Sequence, residues 1–264
     1  MKLKYLATAA AAMIAASPAF AFLNGPIDPS PELFLTVWSA TSASGGTGNI
    51  NSSYTLDLGV SLLDMIANKS VNKYIDVLLG TDSLFNTFIG TVNTTTAGAL
   101  QFNVTAGSHG GFGYTSTDVL LSTVAGATMG NVNNLGLYTA LDQVAPFVDA
   151  VNSFATQANV TNGSSVASGG PELFTVPLST WQSSVPLNSK AVGTTATFGS
   201  YTQNGSGQSP VTAEIFAGKF FLGQSAPNVY SLQYQVAAVP EPTGYALALA
   251  GLGLIGFVGA RRKS

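Results

Sequence analysis

Residues 244–260 form a run of seventeen positions without a charge, and Arg261, Arg262 and Lys263 follow directly. No face of such a run can be turned to water, so it must be treated apart from any globular body. As a helix rising about 1.5 Å per residue it is roughly 26 Å long. That is slightly under a hydrocarbon core of about 30 Å, and it suits a thin or locally thinned bilayer. The basic cluster predicts that the end stays on the cytoplasmic side. Gly244, Gly251, Gly253, Gly256 and Gly259 weaken the helix. A glycine-lined helix packed within a membrane assembly is the alternative.

The other end is also apolar, with a different grammar. Lys2 and Lys4 precede an apolar stretch over 5–16 that is too short to span a bilayer. Ser17 and Pro18 break it, and Ala19 and Ala21 supply the small residues a signal peptidase accepts. The expectation is a signal peptide over 1–21 that leaves Phe22 as the new N-terminus. With the N-terminus exported and the basic tail retained, the intervening chain lies on the periplasmic side of the inner membrane.

Between these ends the charge is lopsided. Residues 22–239 hold eleven acids and four lysines (Lys69, Lys73, Lys190 and Lys219) and no arginine, a net of −7. No basic face is available, which argues against a nucleic-acid partner. The absence of cysteine excludes disulfides, thiolate metal sites and thiol catalysis. The same span contains 25 Ser and 25 Thr. They predict a polar, uncharged surface suited to water or sugars, with many hydroxyls open to O-glycosylation. The plainer reading is a β-rich chain, where Thr is at home.

Val239-Pro240-Glu241-Pro242, the apolar stretch and the basic end occur in that order over 239–264. This arrangement resembles the PEP-CTERM sorting signal, with Arg-Arg-Lys-Ser as a mild variation on its Arg-rich end. The resemblance implies export by a Gram-negative bacterium that makes exopolysaccharide. It also implies recognition and cleavage by an exosortase, a membrane transpeptidase-like enzyme, and a final place at the cell surface or in the biofilm matrix. On this reading Val239, Pro240, Glu241 and Pro242 are sorting and processing residues, and Arg261, Arg262 and Lys263 orient the tail. The two prolines hold the motif extended and deny it backbone donors, which presents an open strand to a processing enzyme.

Period-two alternation marks the body. Leu33, Leu35 and Val37 alternate with Phe34, Thr36 and Trp38. Tyr54, Leu56 and Leu58 form a second set, Leu100, Phe102 and Val104 a third, and Tyr230, Leu232, Tyr234 and Val236 a fourth. The segment 213–222 is expected to pair with the last of these across a turn at 223–228. Helical spacing occurs at Val71, Tyr74, Ile75, Leu78 and Leu79, with Ser70 as cap and Gly80 as stop. It recurs at Leu137, Leu141, Val144, Val148 and Val151, where Thr139 and Asp142 suggest a capping box and Pro146 a kink or break. Loops are expected at 39–52, 105–113, 158–171 and 203–209, and 159–170 reads as mobile or as an internal boundary. Pro-Glu-Leu-Phe at 31–34 and 171–174 is a coincidence of composition. The fold class is mainly β or α+β: an antiparallel, sandwich-like body over 22–238 with a few short helices, plus the C-terminal transmembrane helix.

The chain offers little for chemistry. His109 would need a nucleophile and an orienting carboxylate, and no Gly-x-Ser-x-Gly elbow is present. Asp28, Glu32, Asp57, Asp64, Asp76 and Asp82 supply carboxylates that a glycoside hydrolase could pair, although caps and solvated faces use the same residues. Neither a dense Asp-x-Asp-x-Asp-Gly calcium loop nor a phosphate-cradling loop occurs. Trp38 and Trp181 are candidates for stacking on sugar rings. The expectation is a non-enzymatic, exported surface or matrix protein without catalytic residues, cofactor or metal. Its partners would be signal peptidase, an exosortase-type enzyme, the membrane transiently, and exopolysaccharide. A carbohydrate-binding module and a secreted polysaccharide hydrolase are the alternatives.

Overall fold

The computed structural model describes residues 24–28, 30–39, 52–92, 100–110, 117–124, 126–127, 129, 131–152, 163–168, 190–226 and 229–237. Within them ten strands join one sheet. They are β1 (Glu32–Ser39), β2 (Ser52–Ser61), β3 (Asp76–Leu78), β4 (Leu100–Ser108), β5 (Val119–Val124), β6 (Ser164–Ser168), β7 (Lys190–Ala191), β8 (Thr195–Thr202), β9 (Thr212–Ala226) and β10 (Val229–Val236). Their order is β3-β10-β9-β8-β5-β4-β1-β2-β6, with β7 beside β4, and every pairing is antiparallel. Among the described residues three α-helices accompany the sheet: α1 (Leu62–Ala67), α2 (Ser83–Thr91) and α3 (Asn134–Asn152). A 3-10 turn covers Leu79–Thr81.

The alternation in the sequence is the alternation in the sheet. Leu33, Leu35 and Val37 enter one core, and so do Tyr54, Leu56, Leu58, Leu100, Phe102, Val104, Tyr230, Leu232 and Tyr234. Phe34 and Trp38 point the other way, into a second core beneath α3. The expected hairpin of β9 and β10 is present and longer than its sequence signal. β9 runs on to Ala226, so two residues join the strands.

The sheet is not a sandwich of two layers, as the sequence suggested. It is one sheet curled into a half-barrel. Phe85 on α2 packs edge-on against Tyr54 of β2, with ring centroids 5.0 Å apart, and against Tyr230 of β10 at 5.3 Å. Those two strands are separated by five others in the sheet order. Only a curled sheet brings both to one phenylalanine.

Other expectations also change. The helical spacing at 71–79 does not make a helix. Lys73 takes φ 58°, which breaks any helix there. The Lys73 N–H donates to the Tyr234 carbonyl and the Tyr234 N–H to the Ile75 carbonyl, and β3 then pairs with β10. Sheet pairing wins over helical spacing in this segment. The true helices lie on either side. Ser61 caps α1 by accepting from the Asp64 N–H at 3.1 Å, and Asp82 caps α2 by accepting from the Leu84 N–H at 2.8 Å.

The capping box at Thr139 and Asp142 is likewise absent. α3 begins five residues earlier, and Asn133 accepts from the Gly136 N–H at 2.8 Å. The helix also continues through Pro146, because Leu137, Leu141, Val144, Val148 and Val151 are all buried and anchor both halves. Two expected loops contain strand. Residues 105–108 complete β4, and β6 lies within 159–170, paired with β2. Gly107 explains the first miss: a Cβ there would stand 2.6 Å from Leu141, so glycine permits α3 to lie close on β4.

A Cβ on Gly218 would overlap the buried Tyr234 ring. Gly218→Ala is therefore expected to destabilise the fold by about 1–3 kcal/mol in urea unfolding. Gly90, in α2, has open space around it. Gly90→Ala should be neutral or stabilise by up to about 1 kcal/mol. Equal effects of the two would contradict the packing described.

Candidate functional site

The structure ends its description of the chain where β10 hands over to the tail. Two backbone–backbone contacts and two that use a side chain fix that point. The Val236 N–H donates to Asn72 Oδ1 at 3.0 Å, and the Lys73 N–H to the Tyr234 carbonyl at 2.8 Å. The Tyr234 N–H donates to the Ile75 carbonyl at 2.9 Å, and its hydroxyl to the Lys69 carbonyl at 2.6 Å. Burial pushes the Tyr234 phenol up to about 12, so it remains a hydrogen-bond donor at any ordinary pH. The turn 68–75 thus clamps β10 to its last residue, and Ala237 is the last residue described.

Val239, Pro240, Glu241, Pro242, the span 244–260 and Arg261, Arg262 and Lys263 lie outside the described residues. Ala19, Ala21 and Trp181 do too. Among the described residues no helix is long and apolar enough to cross a membrane.

His109 follows directly on β4 and is 4% exposed. Its Nδ1 lies 3.4 Å from Asp118 and its Nε2 3.4 Å from Asp142 of α3. The Tyr138 ring stands 5.0 Å away. Asp118 also accepts from the Gly110 N–H at 2.7 Å. The orienting carboxylate that a catalytic histidine needs is present twice. A general base, however, directs one nitrogen at a nucleophile, and here both nitrogens face carboxylates.

The carboxylates singled out in the sequence divide by task. Asp28 accepts from the Gly25 N–H at 2.6 Å within a turn. Asp64 receives the Ser61 hydroxyl at the start of α1, and Asp76 accepts from Gln233 across the edge of the sheet. Asp82 caps α2 and accepts the Tyr54 hydroxyl at 2.8 Å. Glu32 and Asp57 behave differently. Burial, then the charge of Asp57, pushes the Glu32 carboxyl up to about 7, against hydrogen bonds from Asn24. Burial pushes Asp57 up to about 6, against the Gly59 N–H that donates to it at 2.8 Å.

Asp57 and Asp82 line a cleft of about 240 Å³ at the seam of the half-barrel, together with Tyr54, Leu78 and Thr81. Glu32 does not line it. Glu32 and Asp57 therefore do not flank this cleft together; Asp57 shares it with Asp82, whose two oxygens are taken by the Leu84 N–H and the Tyr54 hydroxyl. Trp38 is 3% exposed, inside the core beneath α3, and so has no ring face to offer a sugar. Among the described residues no three His, Asp or Glu side chains gather to hold a metal.

A folded β body followed by a sorting tail is the plan of an exported protein routed by its C-terminus. The chain carries a PEP-CTERM protein-sorting motif over residues 238–263. The motif supports an exported, sorted protein, anchored transiently in the membrane and recognised by an exosortase-type enzyme. Neither a curated protein nor a solved structure matches the chain.

The raised carboxyls set a pH dependence. Glu32 and Asp57 bind protons more tightly in the folded chain than in the unfolded one, so between about pH 4 and pH 7 the folded state holds more protons. Stability from these groups is expected to rise as pH falls through about 7 and 6, and to level off near 4. Thermal melts from pH 8 to pH 5 should show the midpoint climbing. Glu32→Gln with Asp57→Asn should flatten the climb. A midpoint that falls over this range would overturn the assignment.

Proposed function

We propose that the body is a non-enzymatic surface or matrix component of an exopolysaccharide-producing Gram-negative bacterium. The PEP-CTERM tail delivers it, and an exosortase-type enzyme cleaves it at Val239, Pro240, Glu241 or Pro242. One observation carries this reading. The matched motif begins at 238, two residues after β10 ends. Among the described residues every strand pairing lies between Glu32 and Val236. Removal of the tail therefore takes no strand from the described sheet.

The destination follows from the routing and from the uncharged, hydroxyl-rich chain, whose function there is adhesion or association with polymer. The mass of the C-terminus, taken on protein from the culture medium and from the cell surface, tests the proposal. The expected chain ends between Val239 and Pro242 and melts at the same temperature as the uncleaved protein. Added mass at that end would identify covalent attachment. An intact Arg-Arg-Lys-Ser end in the membrane fraction would overturn processing.

A further inference from the structure

The four lysines of the body are unevenly placed. Lys69 and Lys73 belong to the turn that clamps β10, and Lys219 pairs in register with Gln235, one residue before the end of that strand. Three of the four thus surround the point where the tail leaves. Lys190 lies elsewhere, on β7 beside β4.

Lys69 is engaged with Glu214 at 2.5 Å and stands over the Phe216 ring. Lys73 and Lys219 are exposed, and neither has an ion pair among the described residues. Three acids share this end: Glu214, Asp64 beside the turn, and Asp76 opposite Gln233. Among the described residues the end is therefore neutral, while the other seven acids and Lys190 leave the described remainder at −6. Val71, in the same turn as Lys69 and Lys73, and Ile215, next in the chain to Glu214, are apolar and 47% and 42% exposed.

The tail limits how far this end can stand from a bilayer. From Val236 to Gly244 there are eight residue steps, and an extended Pro-rich segment rises about 3.1 Å per step. The body is held within about 25 Å of the surface. A chain of this charge is repelled by anionic lipid over a Debye length of about 8 Å, except at this end. We propose that this end seats on anionic phospholipid headgroups while the tail is in the membrane, with Lys73 and Lys219 on the headgroups and Val71 and Ile215 at the interface. The proposal rests on the reading of 244–260 as an anchor.

The test uses the full chain with phosphatidylcholine vesicles, with and without phosphatidylglycerol. Flotation reports anchoring, and a water-soluble amine reagent reports lysine access by mass spectrometry. In anionic vesicles Lys73 and Lys219 should label roughly fivefold more slowly than in neutral ones, with Lys190 unchanged and high salt restoring the rate. A chain that floats with both vesicles yet labels equally in both would overturn the docking and leave the anchor standing. A chain that floats with neither would overturn both.

Discussion

Phe85 sits between Tyr54 and Tyr230, and the curl of the sheet depends on that contact. Phe88 stacks on Tyr54 from the same helix, so α2 plugs the seam with two aromatic rings. Asp82 couples the plug to the wall: one oxygen caps α2, and the other takes the Tyr54 hydroxyl. Burial and the Asp82 charge both push the Tyr54 phenol upward, which keeps it a donor. Aromatic pairs of this geometry contribute about 0.5–1.5 kcal/mol each beyond the area they bury. Without them β2 and β10 would splay, and the large core would open along its length.

Curling the sheet around one core and laying α3 across the other face buries both sides of the central strands. The chain meets that demand with small hydroxyls. Asn103, Thr36, Thr55 and Ser165 lie in one row across β4, β1, β2 and β6, and all are fully buried. Asn103 accepts the Thr105 hydroxyl at 2.6 Å. The Thr36, Thr55 and Ser165 hydroxyl oxygens have no hydrogen-bond partner among the described residues. Each such group costs about 1–3 kcal/mol, a burden a charged side chain would multiply. The Ser and Thr content thus serves the interior of the sheet as well as its surface. It fits the low charge of the whole chain, since few positions on a twice-covered sheet tolerate an ion.

The strands were legible because period two is a local signal, and four of the sets read from the sequence entered one core intact. The curl was not legible, because it depends on Phe85 meeting two strands distant in sequence. The helical spacing at 71–79 misled for the same reason. Val71, Tyr74 and Leu78 do fall at helical intervals, but β10 supplies hydrogen bonds that a local pattern cannot anticipate. Signals for the true helices were present and weaker: Ser61 three residues before Asp64, and Asp82 ahead of Leu84, Phe85, Phe88 and Ile89. Of the candidate site, the sorting motif over 238–263 was readable, since it is a linear pattern. The pairing of His109 with Asp118 and Asp142 was not, because nothing in the chain order brings α3 onto the end of β4.

The place of β10 links the fold to the sorting. It is the last strand of the described residues, yet it lies inside the sheet, between β9 and β3. Its bonds to the turn at 68–75 span 165 residues for Tyr234 with Lys69 and 164 for Val236 with Asn72. Such contacts form late, since the loop must close before they stabilise anything. In an exported chain, β3 and the clamp therefore wait until residue 236 has crossed, and the tail follows directly behind it. The clamp closes the described sheet just ahead of the sorting motif that begins at 238. Asn72 takes the Val236 N–H, and Pro240 and Pro242, four and six residues further on, have no N–H to give to a ladder.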